Sequence, residues 1–493
     1  AHRRQGVLQF NVGTNKANSD SWKEQMVIDH DLEVVHPWFY STYLIEDNIR
    51  VSFTPSKKAA IYKLEFPDGA QKNVLMRGTQ NMKLEKSKNS FKILEKRTVK
   101  TRGEHAVQNV MSIYVYAEIV DRNNLPIEDL NTKFENASLH ITSNPNTPST
   151  IYLKYAVSYV DFNQAKDNFK REINKKTFDE VSNEGKKAWE KVINQIQVEG
   201  GTTSQKRTFY TALYRTYERM VDINEYGQYY SGYNKKIHKS DRPFYVDDWI
   251  WDTYLAHHPL RTILDPPAEN DMLHSYTLMY KHSGWMPTFP QAHGNHLCMN
   301  AYHSSAIFID GYRKGLKKYD VEMAYEGIKK NLLEGTYIPW RQGNPRGPLD
   351  DFYHENGYFP SLKISEEETV KNVDGFEKRQ PVPVSLGISY DFWALSELAK
   401  ELNKIEEYKE YSLKAENYKK LWNDNHRMFI PKDADGNWLD INPKLDGGRG
   451  YRNYYDENNG WTYAWDVKHD INGLVDLLGG KKAAEDRLDQ LFR

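Results

Sequence analysis

The sequence predicts a two-part protein, an N-terminal antiparallel β-sandwich followed by a larger α/α toroid. Three observations predict it. The 493 residues exceed one ordinary domain. Patterning to about residue 160 has period two, with short turn-like breaks. Beyond about residue 198 the apolar spacing is helical and the unusual residues collect in long loops.

The β part opens with residues 39–66, FYSTYLIEDNIRVSFTPSKKAAIYKLEF, and continues through SIYVYAEIV, ASLHITSN and TIYLKYAVSYV. β-Branched and aromatic residues crowd these stretches, which argues against helix. Short strands at this spacing point to a sandwich over residues 1–163. The texture changes near residue 164, where a charged stretch poor in β formers reads as linker helices over residues 164–197. Residues 198–493 then read as paired helices. Ala301 to Leu316 and Val384 to Leu402 are the clearest, with Leu395, Leu398 and Leu402 on one face. A large helical domain without a central funnel fits the same pattern.

Composition narrows the function classes. Hydrophobic residues make up 39% and charged residues 27%, a globular mixture. Net charge is −1, from 67 basic and 68 acidic residues, so no global field draws nucleic acid or an anionic membrane. No apolar run is long enough for a transmembrane segment, and AHRRQGVLQF lacks the apolar core of a signal peptide. Cys298 is the only cysteine, so no intrachain disulfide forms. The aromatic share is 13%, with 34 Tyr and 12 Trp. Such rings stack on the apolar faces of sugars, and they equally fill large cores.

Cleavage of a glycosidic bond uses two carboxyl groups, one protonating the leaving oxygen and one attacking or activating water. Asp247, Asp248, Asp252, Asp350, Asp351, Glu355, Asp456 and Glu457 lie in aromatic loops. Glu457 has the richest context, with Tyr454, Tyr455, Trp461, Tyr463 and Trp465 nearby. An aromatic wall raises a carboxyl pKa, as a proton donor requires; DENNG is also a good solvent-facing turn. Asp252 follows Trp251, a pairing that suits a sugar, and it also stands where a helix N-cap would. His257, His258, His293, His296 and His303 form no zinc motif. VEGGTTSQKRT lacks the ending of a phosphate loop.

Four ordered stretches resemble glycoside hydrolase family 92, the calcium-dependent exo-α-mannosidases. They are VEGGTTSQKRTFYTALYR at 198–215, WDTYLAHHPLRTILDP, GWMPTFPQAHGNHLCMNAYHSSAIFIDGYRKG and GWTYAWDVKHDINGLVDLLGG. The resemblance implies a β-sandwich on an (α/α)6 barrel and removal of terminal α-linked mannose from a glycan with inversion. It implies Glu457 as general acid, four residues before Trp461. Trp251, Asp252, Trp285, Asn295, His303 and Trp461 are its implied sugar contacts, and calcium binds the sugar. It further implies an exported, periplasmic or cell-surface enzyme. Thr462 stands where the family has a calcium-binding Gln, and Leu255 where it has an Arg. The segment carrying the general base comes later than Arg493 in the family, so a fragment with the barrel truncated at its C-terminus is expected. Two other readings fit: a trehalase- or glucosidase-like enzyme on the same barrel, and a catalytically impaired glycan-binding homologue.

Overall fold

The computed structural model describes residues 9–14, 26–77, 82–87, 90–100, 108–127, 130–135, 138–143, 146–340, 345–446 and 452–492. The opening residues 1–8, read above for a signal peptide, lie outside the described residues, as does Arg493.

Among the described residues twelve strands form the N-terminal sandwich: β1 (Gln9–Gly13), β2 (Val34–His36), β3 (Phe39–Leu44), β4 (Ile49–Pro55), β5 (Ala59–Glu65), β6 (Lys72–Arg77), β7 (Met82–Lys86), β8 (Phe91–Lys100), β9 (Gln108–Val120), β10 (Leu130–Glu135), β11 (Ser138–Ser143) and β12 (Thr150–Ser158). One sheet has the order β1-β6-β11-β10 and the other β2-β3-β4-β5-β12-β9-β8-β7. β12 joins β5 and β9 antiparallel, with Leu153 opposite Tyr62 and Ile119. Side chains alternate across the pleat. Val115, Ala117 and Ile119 enter the core between the sheets with Val74, Met76, Leu139 and Ile141. Tyr116 points to the other face of its sheet.

That second face is covered by α1 (Phe162–Glu172) and α2 (Phe178–Ile193). Phe169, Ile173, Phe178 and Val181 bury against Ala59, Ile61, Tyr116 and Ala156. The stretch read as linker helices therefore packs on the sandwich. Its apolar residues are few but fall on one face, which is enough to close a sheet. Asp161 caps α1 through Gln164 N at 2.7 Å. Thr177 and Glu180 form a reciprocal capping box on α2. At the far end of α1, buried Lys154 donates from Nζ to the carbonyls of Ile173, Asn174 and Lys176 at 3.0, 3.3 and 2.6 Å.

The helical part comprises α3 (Thr203–Arg215), α4 (Ile250–Thr253), α5 (His257–Leu264), α6 (Pro266–Ser283), α7 (Ser304–Arg313), α8 (Val321–Glu334), α9 (Pro348–Asn356), α10 (Pro381–Glu401), α11 (Ile405–Ala415), α12 (Gly460–Tyr463), α13 (Ile471–Leu477) and α14 (Lys481–Leu491). α10 is the central element. Val384, Ile388, Leu395 and Leu398 are buried on it along with nearly every other residue, as expected of a helix apolar on all sides. It packs against α7, α8 and α11. The sandwich is tied to this part by polar contacts at least partly buried. Glu225 accepts from Tyr159 N at 2.7 Å and Asn168 Nδ2 at 2.9 Å, and Lys58 Nζ donates to Asp222 O at 2.5 Å.

Candidate active site

A cleft of about 420 Å³ opens on the helical part. α4 supplies Trp251 and Asp252; the approach to α7 supplies Asn300 and His303; α10 supplies Pro383 and Gly387; and residues 456–468 supply Asp456, Glu457, Asn458, Thr462, Asp466 and Lys468. A larger groove of about 690 Å³ runs between the sandwich and α2 and α3. Among the described residues its only acidic lining residue is Glu190, which does not make the carboxyl pair that glycoside cleavage needs.

α4 is a single turn and cannot hold itself in place. A buried charge network holds it. Asp248, three residues before Trp251, accepts from Thr253 Oγ1 at 3.1 Å, Tyr276 Oη at 2.5 Å and His258 Nε2 at 3.0 Å. The other ring nitrogen of His258 meets Glu269 at 2.8 Å. Burial disfavours the charge on His258, yet Glu269 and Asp248 raise it to about 10. Burial likewise works against Asp248, but the His258 charge and the hydrogen bonds from His258 and Tyr276 hold it at about 2. Asp252 itself faces the cleft. Burial raises its carboxyl above the usual range; Arg219 opposes this, and the negative charges of Asp248 and Glu457 add to it.

His303 stands in a ring of aromatic side chains, 4.1 Å from Tyr254, 6.0 Å from Trp251 and 5.7 Å from Tyr390 between centroids. Its Nδ1 meets Asp391 Oδ1 at 2.9 Å. Asp391, buried in α10, also accepts from Ser305 Oγ at 2.7 Å and Tyr302 N at 2.6 Å. α10 comes close enough because residue 387 is glycine. A Cβ there would lie 2.9 Å from Ala301 Cβ and 3.6 Å from His303 Cε1.

The opposite wall carries the acidic segment. Glu457 has φ of +55°, unusual for a non-glycine residue and frequent where function fixes a side chain. Its carboxylate is 60% exposed and lies 3.2 Å from Arg452 Nη2. The burial expected of Glu457 belongs to its neighbour. Asp456 is 2% exposed, and Tyr463 Oη donates to its backbone carbonyl at 2.8 Å. Arg452 pairs with Asp456, and with Glu377 at 2.8 Å. Burial pushes the Asp456 carboxyl up to about 7; Arg452 opposes the rise, while Glu457 and Glu377 assist it.

Of the residues singled out in the sequence, Trp251, Asp252, His303, Glu457 and Thr462 line this cleft. Trp285, Asn295 and Trp461 do not. Asn295 Oδ1 accepts from the backbone of Thr288 and Phe289 at 3.1 and 2.9 Å, bracing the turn at residues 288–295. Trp461 lies between the cations of Lys444 and Arg487, at 4.7 and 4.2 Å. Trp285 stacks under Lys330 at 4.7 Å. Among the other carboxylates considered, Asp350 caps α9 and accepts from Tyr337 N at 2.7 Å, and Asp351 pairs with Arg346 at 2.9 Å. Sequence reading passed over Asp391, Arg452, Glu377, Asp466 and Lys468. A lone Asp in the apolar run of α10 was the available signal for Asp391.

Residues 5–493 have family counterparts. Residues 164–493 match the glycosyl hydrolase family 92 catalytic domain, and residues 5–177 match the family 92 N-terminal domain. The chain belongs to glycosyl hydrolase family 92. A secreted glycosidase from Arthroderma benhamiae is 23% identical over 377 residues, 72% of this chain and 43% of that protein. An inverting family 92 mannosidase from Bacteroides thetaiotaomicron has the same fold, with TM-score 0.82 and 24% identity over 98% of this chain and 63% of that one. A second α-mannosidase from that organism, in complex with mannoimidazole, gives TM-score 0.81 and 21% identity over 99% and 65%. The chain thus spans under half the length of the curated relative and just under two thirds of these solved structures. The shared fold is a sheet-rich N-terminal domain followed by a helical domain.

Proposed function

We propose that the protein hydrolyses terminal α-linked mannose from glycans, with inversion at the anomeric carbon. The observation that carries this reading is the cleft of a family 92 chain in which Trp251 and Asp252 share one cavity with Glu457 and His303. The Trp251 ring offers an apolar face to a pyranose. Asp252 accepts hydroxyl hydrogens, and His303 is oriented by Asp391. Glu457 is assigned as the proton donor to the leaving oxygen. In an inverting enzyme the second carboxyl stands about 6.5–9.5 Å away, leaving room for the attacking water. The mannoimidazole bound by the Bacteroides relative supports a mannoside as substrate. The secreted relative supports an exported enzyme. Among the described residues no helix is long and apolar enough to cross a membrane.

Calcium is the cofactor that the family implies. Calcium takes about six to eight oxygen ligands. Among the described residues no three His, Cys, Asp or Glu side chains are grouped to hold a metal ion. Thr462 Oγ1 is engaged with Asn458 Oδ1 at 2.7 Å. These residues do not fit a calcium cage of their own, and no step is assigned to the ion. The test of the function is release of mannose from methyl α-mannoside and α-mannobiose by the full-length protein, with the first-formed anomer read by proton NMR. β-Mannose as first product supports the proposal. Release of glucose from α-glucosides in preference, or binding of mannosides without turnover, would replace it with one of the other readings.

A further inference from the structure

Asn300 lines the cleft from the approach to α7 and is 4% exposed. Its carboxamide oxygen, Oδ1, is buried and has no hydrogen-bond partner among the described residues. An acceptor shut away from water without a donor is unfavourable, and native proteins keep few of them. The amide is not free to turn round and repair this. Gln380 Nε2 donates to the backbone carbonyl of Glu377 at 3.0 Å. A carbonyl only accepts, so the nitrogen end of Gln380 must face it. That leaves Gln380 Oε1 to accept from Asn300 Nδ2 at 3.2 Å. Asn300 therefore gives its donor to Gln380 and holds its acceptor away from it.

The acceptor faces Gly387, which also lines the cleft. A Cβ at residue 387 would stand 3.7 Å from Asn300 Oδ1 and 3.6 Å from His303 Cε1. The oxygen and the imidazole thus face one spot on the cleft wall, and glycine keeps that flank free of a side chain. The backbone is set for the same placement. Met299 and Ala301, on either side of Asn300, have φ of +58° and +63°, and Gln380 has +48°. Left-handed conformations at non-glycine residues are costly and gather where function fixes a side chain.

Resting on the reading of this cleft as a hexoside site, we infer that Asn300 determines sugar specificity: its carboxamide oxygen accepts the hydrogen of one hydroxyl of the bound pyranose, and Gln380 is its positioning residue. A sugar hydroxyl supplies the donor that the oxygen lacks. A sugar without that hydroxyl leaves the oxygen buried and unpaired, and is rejected for that reason.

The test uses the full-length protein and compares kcat/KM on 4-nitrophenyl α-mannoside with its 2-, 3-, 4- and 6-deoxy analogues. The corresponding α-glucosides form a second series, and calorimetric binding of the same sugars gives a readout without turnover. Asn300→Leu keeps the side-chain volume and removes the acceptor; Gln380→Met removes the group that positions it. Comparing variant with wild type on each substrate cancels the intrinsic reactivity of the deoxy sugars. Asn300→Leu loses about 10- to 100-fold on the parent mannoside and on all deoxy analogues but one. On that one, which lacks the matching hydroxyl, it equals wild type. Gln380→Met gives the same pattern with a smaller factor. Equal loss on every sugar in a folded variant, or no loss on any, overturns the inference and leaves mannoside hydrolysis standing. The single-hydroxyl pattern seen only in calorimetry, or only on glucosides, keeps the role of Asn300 and removes the proposed function. If wild type binds neither series, both fall.

Discussion

Replacement of His258 by Ala isolates the charge network beneath the Trp251–Asp252 turn. His258 is 2% exposed and lies between Asp248 and Glu269 at 3.0 and 2.8 Å. Its ring is raised from 6.5 to about 10, which at about 1.4 kcal/mol per unit corresponds to about 5 kcal/mol. The fall of Asp248 from 3.8 to about 2 corresponds to only about 2 kcal/mol. The two figures differ because His258 feels two carboxylates and Asp248 one imidazolium, and they describe one network, so they are not added. Removing the central cation leaves two buried carboxylates facing each other, at a cost of about 3–5 kcal/mol. For a domain of this size that lowers the thermal midpoint by roughly 5–15 °C, followed by circular dichroism at pH 6. The pH dependence has a definite sign. His258 has its folded value above its unfolded one, so its contribution is complete below about 6.5 and is lost as pH rises toward about 10. The Asp248 contribution is complete above about 3.8 and is lost as pH falls toward about 2. The wild type therefore loses midpoint between pH 7 and 10 more steeply than His258→Ala. A variant that melts within about 2 °C of wild type at pH 6, or equally steep profiles above pH 7, would refute the reasoning.

Three further outcomes follow from the same contacts. Asp391→Ala strands His303 Nδ1, Ser305 Oγ and Tyr302 N in a buried site; it destabilises by about 1–3 kcal/mol, and mannoside turnover falls by more than this stability loss alone produces. Lys154→Met leaves the three carbonyls ending α1 without their common donor, costing about 1–3 kcal/mol in chemical denaturation with no change in KM. Among the described residues the cleft is lined by Asp252, Asp456, Glu457 and Asp466, with Lys468 as the lining cation and Arg452 behind Glu457, so a phosphorylated mannoside binds more weakly than a neutral one, and added salt narrows the gap in calorimetry.

Much of this organisation was legible from local sequence. The alternation in residues 39–66 is realised as β3, β4 and β5, because period-two patterning fixes which side chains enter a sheet core. Leu395 and Leu398 are buried on α10, and Leu402 packs against the same core. The aromatic loops that drew attention to Trp251, Asp252 and Glu457 meet in one cleft. What escaped is what the chain assembles over long separations. Glu377 reaches Arg452 across 75 positions and Asp391 reaches His303 across 88, and no local spacing rule encodes such pairs. Trp285, Asn295 and Trp461 share the composition of a sugar site, but composition does not fix direction: Asn295 turns to its own backbone and the two tryptophans lie against lysine and arginine. The charged segment after residue 164 looked like a linker because its apolar stripe is narrow, yet Phe169 and Phe178 suffice to seat it on the sheet.

The central claim is that Glu457 donates the proton that lets the sugar's leaving group depart. The decisive measurement compares Glu457→Gln with wild type on methyl α-mannoside and on 2,4-dinitrophenyl α-mannoside, at the wild-type pH optimum. The expected loss is about 10²–10⁴-fold on the methyl glycoside, the usual scale for removing acid catalysis, and much smaller on the activated aryl glycoside. Equal losses on the two substrates would contradict it and assign Glu457 to binding or to structure.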